Sequence, residues 1–169
     1  MYKKIHIIVW FLVSAVAYTN SFGNDSTNVL PPKKIVVDAK KYTSNDPDNG
    51  WKKGYKLHLQ AGNWEVKPVS GAWSAWGSDS WRSPDVKGAW TWNVQIKVPS
   101  SEQSQCLGEC GNWWRFKSEK EADLFAKSQE LQPYSFSLES AGDVYFWIFD
   151  AGNETDNRGK ITIEIYSVQ

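Results

Sequence analysis

Between Asp150 and Gly159 the chain reads Asp-Ala-Gly-Asn-Glu-Thr-Asp-Asn-Arg-Gly. Asp150, Asn153, Glu154, Thr155, Asp156 and Asn157 crowd hard oxygen donors into a short segment. A calcium ion takes about six to eight such oxygens, drawn from carboxylates, amide side chains, backbone carbonyls and water. The segment is also longer than the roughly two to five residues that a hairpin needs. Two readings fit the composition. One is a Ca²⁺-binding loop, and the other is a polar turn, because Asp, Asn and Gly favour turns for backbone reasons of their own.

A second stretch, residues 70–84, is rich in Gly and Ser and carries Trp73, Trp76 and Trp81. Long ordered loops of this kind are often functional. The whole chain holds 11 tryptophans. Tryptophan dominates cores, but it also offers a flat apolar platform for ligands such as sugar rings. Cys106 and Cys110 are separated by three residues. In an exported chain such a pair points to a disulfide. A zinc site would need two further ligands, and beyond residue 23 the chain has one histidine, His58. There is no Gly-x-Ser-x-Gly, no phosphate loop and no His-Glu-x-x-His. Asp79, Asp85 and Asp143 are carboxylates that a glycosidase would use in pairs, but no apolar setting marks out one of them as a proton donor. The sequence therefore points to a binding protein and not to an enzyme.

These residues hang on short strands. Residues 55–60 alternate apolar and polar and place His58 on the solvent side with Lys56 and Gln60. Residues 64–69 predict a second strand, whose Pro68 calls for an edge or a bulge. Residues 89–98 alternate most cleanly, with Trp90, Trp92, Val94, Ile96 and Val98 on the core face. Further strands are expected at 34–39, 112–117, 134–138, 144–149 and 160–166, with the 150–159 segment joining the last two. Ser118 and Glu121 have the spacing of a capping box, opening one short helix over residues 119–129. Many short strands, turn signals between them and at most one short helix argue for an all-β fold, an antiparallel β-sandwich or jelly roll.

With 169 residues, the chain is long enough for one domain with a sizeable core. Lys3 and Lys4 precede an apolar run over residues 5–17 that is short for a membrane span. Residues 1–23 read as a signal peptide, residues 24–33 as a flexible leader and residues 34–169 as the domain. The expected location is secreted or periplasmic, with no membrane attachment once the signal is removed. Formal charge is zero, from 19 basic and 19 acidic residues; without Lys3 and Lys4 it is 17 against 19, or −2. No basic run stands out, so nucleic acid is not an expected partner.

Three stretches carry a resemblance to the PA-I type galactophilic lectins. They are Ser70-Gly-Ala-Trp-Ser-Ala-Trp-Gly77, the close cysteine pair followed by Gly111, and an aromatic strand ending Phe149-Asp150 with Asp156-Asn157-Arg158-Gly159 beyond it. The resemblance implies a small jelly roll that holds a sugar diol on a loop-bound Ca²⁺. Asp150, Asp156 and Asn157 would supply side-chain ligands, a mid-loop carbonyl near Asn153 another, and Trp76 its backbone carbonyl. Asp150, Asn157 and Asp85 would meet the sugar, with Trp81 or Trp76 as an apolar wall. The implied partner is a galactose-like carbohydrate, and the family's tetramers make an oligomer an expectation too. Where the family has His-Pro-Asp-Gln, this chain has Ser83-Pro84-Asp85-Val86. The departing positions are those that would fix galactose itself. Without a sugar, the same sandwich reads as a structural or interaction domain that binds calcium only to stiffen its loop.

Overall fold

Alternation of apolar and polar residues sets most of the strands, and the edges of the strands set the loops. The computed structural model describes residues 31–76, 89–110, 116–128, 130–152 and 154–168. The elements run β1 (Lys33–Asp38), β2 (Thr43–Ser44), a 3-10 turn (Gly50–Lys53), β3 (Tyr55–Leu59), β4 (Gly62–Ser74), β5 (Asn93–Lys97) and β6 (Gln105–Gly108). They continue with α1 (Glu119–Lys127), β7 (Tyr134–Leu138), β8 (Gly142–Phe149) and β9 (Arg158–Val168). The predicted signal peptide and most of the predicted leader lie outside the described residues, and β1 starts one residue inside that leader. Among the described residues no helix is long and apolar enough to cross a membrane.

One sheet has the order β1-β9-β4-β7, and the other β2-β8-β5-β6 with β3 also paired to β8. The all-β sandwich is therefore as expected. The exception to antiparallel pairing is β2, which runs parallel to the end of β8 through Thr43 and Ser44. The segment 43–54 contributes this short strand and a 3-10 turn. The inner faces meet in one core. Ile161, Ile163 and Ile165 of β9 and Val66 of β4 come from one sheet, and Val144, Phe146, Ile148, Val94 and Ile96 from the other. All of these are fully buried.

The largest departure from the sequence reading is in β4. It does not end near Val69 but continues to Ser74. Between Pro68 and Ser70 the register against β9 shifts by a β-bulge. A bulge inserts one residue and so reverses which parity faces inward. Trp64 and Val66 face in before it; Trp73 faces in after it. Trp73 is fully buried and belongs to the core, not to a ligand loop. Pro68 sits beyond the stretch of β4 that β7 covers, so its missing N–H leaves no ladder bond unmade on that side.

Trp90, expected on the same core face as Trp92, packs elsewhere. With Ala72, Ala89 and Ala122 it forms a second small cluster beneath α1. Trp92 stays in the main core. Helix α1 begins where the capping box predicted, since the Glu121 backbone N–H donates to Ser118 Oγ at 3.3 Å. The Glu121 carboxylate accepts from the Lys117 N–H and not from the cap residue's own. Of the strand expected at 112–117, only Phe116 and Lys117 are described, and Phe116 forms a bridge with Trp90.

Candidate functional site

The segment between β8 and β9 is not a hairpin. Strand β8 lies in one sheet and β9 in the other, so residues 150–157 cross one end of the sandwich. This removes the plain hairpin-turn reading. Asp150 leaves β8 with its backbone N–H donating to the Ser44 carbonyl at 3.1 Å. Its Oδ1 accepts from the Gly152 N–H at 2.9 Å. Asn157 enters β9 with no exposure at all, and Asp150 retains 5%.

The polar atoms left over at this end are the informative ones. Asp150 Oδ2, Asp156 Oδ1, Asn157 Oδ1 and Asn157 Nδ2 are all buried and have no hydrogen-bond partner. Leaving one such group unsatisfied costs about 1–3 kcal/mol, and more for a charged one. Buried polar groups in folded proteins are ordinarily paired. Three of the four atoms are oxygens, two of them on carboxylates, which is the donor set a hard cation takes. The residues therefore fit calcium. No group of three or more His, Cys, Asp and Glu placed to hold a metal exists among the described residues. The set at this end consists of two carboxylates and an amide, so any further ligands would come from backbone carbonyls, water or a bound molecule.

Glu154 is drawn away from the other loop oxygens. Its carboxylate receives Lys53 Nζ at 2.8 Å and the Asn45 backbone N–H at 2.8 Å, tying the loop to the 43–54 segment. The Lys53 ammonium, followed by the Asn45 N–H, holds the Glu154 carboxyl below the usual glutamate range despite some desolvation. The expected ligand Asn153 lies outside the described residues, as do Trp81 and Asp85.

Trp76 closes the other side. Its carbonyl oxygen accepts from Arg158 Nε at 2.7 Å. The Arg158 guanidinium lies 4.6 Å from the ring centroid of Trp90. The same carbonyl also accepts from Ser74 Oγ at 3.4 Å. The segment just after β4 and the residue after Asn157 are thus brought together. Neither Arg158 nor the Glu154–Lys53 clamp was foreseen, and nothing in the local sequence signals a contact between residues about a hundred positions apart.

The remaining candidates are placed as follows. Cys106 and Cys110 form a disulfide. His58 is exposed and bonds Asp143, its direct partner across the β3–β8 ladder, at 2.8 Å. Lys56 Nζ also reaches Asp143, at 3.3 Å. The His58 and Lys56 contacts hold the Asp143 carboxyl below its usual value. Asp79 lies outside the described residues.

No protein-family model matches the chain, and no curated protein does. Among solved structures, the chain is similar to one described as "EclA N-terminal domain; PllA-like lectin". That similarity has a TM-score of 0.40 and 18% identity, over 85% of this chain and all of the other. At that level the assignment of function rests on the site itself.

Proposed function

We propose that this is an exported, calcium-dependent carbohydrate-binding protein in which the 150–157 loop holds Ca²⁺ and the ion holds a sugar diol. The observation that carries the reading is the set of four buried, partnerless atoms on Asp150, Asp156 and Asn157. Side-chain oxygens of these three residues would hold the ion; the Trp76 carbonyl, which the resemblance adds to the set, also accepts from Arg158 and Ser74. The count falls short of calcium's usual six to eight ligands. A mid-loop carbonyl near Asn153 and two vicinal hydroxyls would complete it. Bound calcium exchanges coordinated water for ligand oxygens and so selects a diol. Asn157 Nδ2, a buried donor with no acceptor, is placed on the same side chain and would donate to a sugar oxygen. Asp85 and Trp81 are assigned to the sugar on the resemblance alone. The disulfide supports an oxidising compartment, secreted or periplasmic.

The carboxylates favour binding over catalysis. A glycosidase's proton donor needs a raised pKa. Asp143, Asp123 and Glu154 are all shifted the other way by their hydrogen-bond partners. A second reading, calcium as a loop stiffener in an interaction domain, is favoured by Ser83 and Val86, which replace the resemblance's sugar-holding His and Gln.

Calorimetric titration with calcium tests the first half. Wild type should bind one ion, and Asp150→Ala should bind none; an equal response from both sinks the assignment. Tryptophan fluorescence then separates the two readings. A change on adding galactose-like sugars in the presence of calcium supports the lectin, and a change with calcium alone supports the stiffener.

A further inference from the structure

On the outer face of the β1-β9-β4-β7 sheet, an open groove of about 970 Å³ runs between β9 and α1. It starts at Arg158, the residue after Asn157, and continues along β9 through Lys160. Across from them α1 presents Lys120, Asp123 and Lys127. Their spacing of three and four residues puts all three on one helix face. The lining has four cations against two carboxylates, Glu119 and Asp123, in a chain whose formal charge is zero. Asp123 is already committed, accepting from the Gly71 N–H and from Lys127 Nζ. Lys120 and Lys160 form no ion pair with any described residue and stand exposed on opposite walls. The Arg158 guanidinium is held in place by Trp90 and by the Trp76 carbonyl. Fixed positive charge facing a groove raises the local concentration of anions.

The geometry points to an anionic saccharide as the preferred ligand. Its neutral diol sits at the 150–157 loop, and a sulfate or carboxylate on a neighbouring residue sits in the groove between Lys120 and Lys160. This rests on the calcium-and-sugar reading for the loop; the groove itself is independent of that reading. A polyanion such as nucleic acid is disfavoured because the groove is also lined by Glu119 and the Lys127–Asp123 pair.

The test uses a chondroitin sulfate tetrasaccharide and the same tetrasaccharide desulfated and carboxyl-reduced, each titrated into the protein with calcium and again with EDTA. In calcium the charged form should bind about tenfold tighter, the worth of two or three exposed charge contacts. The advantage should shrink as salt rises from about 50 to about 200 mM. Lys120→Ala combined with Lys160→Ala should bring the charged form down to the neutral one. Lys33→Ala with Lys34→Ala, exposed cations on β1, should change nothing. If both tetrasaccharides bind wild type equally, or if the groove variant keeps the preference, the proposal is overturned. It is also overturned if a single-stranded oligonucleotide competes as well as the charged tetrasaccharide, or if nothing binds in either buffer. Charged-form binding in EDTA, lost in the groove variant, would keep the groove even if the loop takes no calcium.

Discussion

Asp150 and Trp73 show how little a residue's type says about its role. Asp150 sits in a segment whose composition fits a calcium loop and a polar turn alike, and its Oδ2 is buried and has no donor. A ligand that binds only the folded state stabilises it by RT ln(1 + [L]/Kd), about 2.7 kcal/mol at a hundred times Kd. Calcium should therefore raise the melting temperature of wild type and leave that of Asp150→Ala unmoved. Trp73 was grouped with the loop tryptophans, and its burial places it in the core. Truncating a buried Trp leaves a cavity as well as losing transfer energy, at about 3–5 kcal/mol. Trp73→Ala should lose that much in urea unfolding; a loss below about 1 kcal/mol would contradict the assignment of Trp73 to the core. The glycines on either side of the strand pairing are equally constrained. A Cβ on Gly159, at φ 88°, would lie 2.3 Å from the Ala72 carbonyl oxygen. Only glycine permits β4 and β9 to meet there.

Two cross-links between elements decide how the loop and the sheet edge are held. Glu154 ties the 150–157 loop to the 3-10 turn through Lys53. An exposed ion pair is worth up to about 1 kcal/mol. Lys53→Met should therefore weaken calcium binding by less than about fivefold and leave the stoichiometry at one; a larger loss would make Lys53 part of the site. On the other edge, Asp143 lies opposite His58 and takes Lys56 as well, joining β8 to β3. Its carboxyl is depressed in the fold by His58 and then Lys56. A depressed carboxyl contributes stability above its unfolded value, near 3.9, and the contribution is lost as pH falls through the lower folded value. Between about pH 5 and pH 2, wild type should lose stability more steeply than Asp143→Asn. Parallel slopes would mean that the pair contributes nothing. At this scale the sequence was most legible where alternation was strict, as in β3, β5 and β7. It failed at β4, where the bulge after Pro68 reverses the parity that periodicity depends on.

In the whole molecule, the candidate site exists because β8 and β9 belong to opposite sheets and their connection must cross the end of the sandwich. The disulfide is a local clasp on β6 and does not tie the sheets together. Closing so short a loop should contribute about 2 kcal/mol in the chain-entropy estimate. Its reduction should lower stability by about that amount without abolishing calcium binding; unfolding on reduction would show a larger role. The sequence alone determined the β class, the helix cap at Ser118, the pairing of Cys106 with Cys110 and the oxygen-rich loop. Each of these depends on residues within a few positions of one another, where side-chain period, capping and ring closure act. Only the tertiary structure decided that Trp73 is core, that Trp90 lies under α1, that Glu154 is drawn to Lys53, and that Lys120 and Lys160 share a groove. Those outcomes depend on which strands pair and in what register, and pairing is set by burial across the whole sheet rather than by any local stretch.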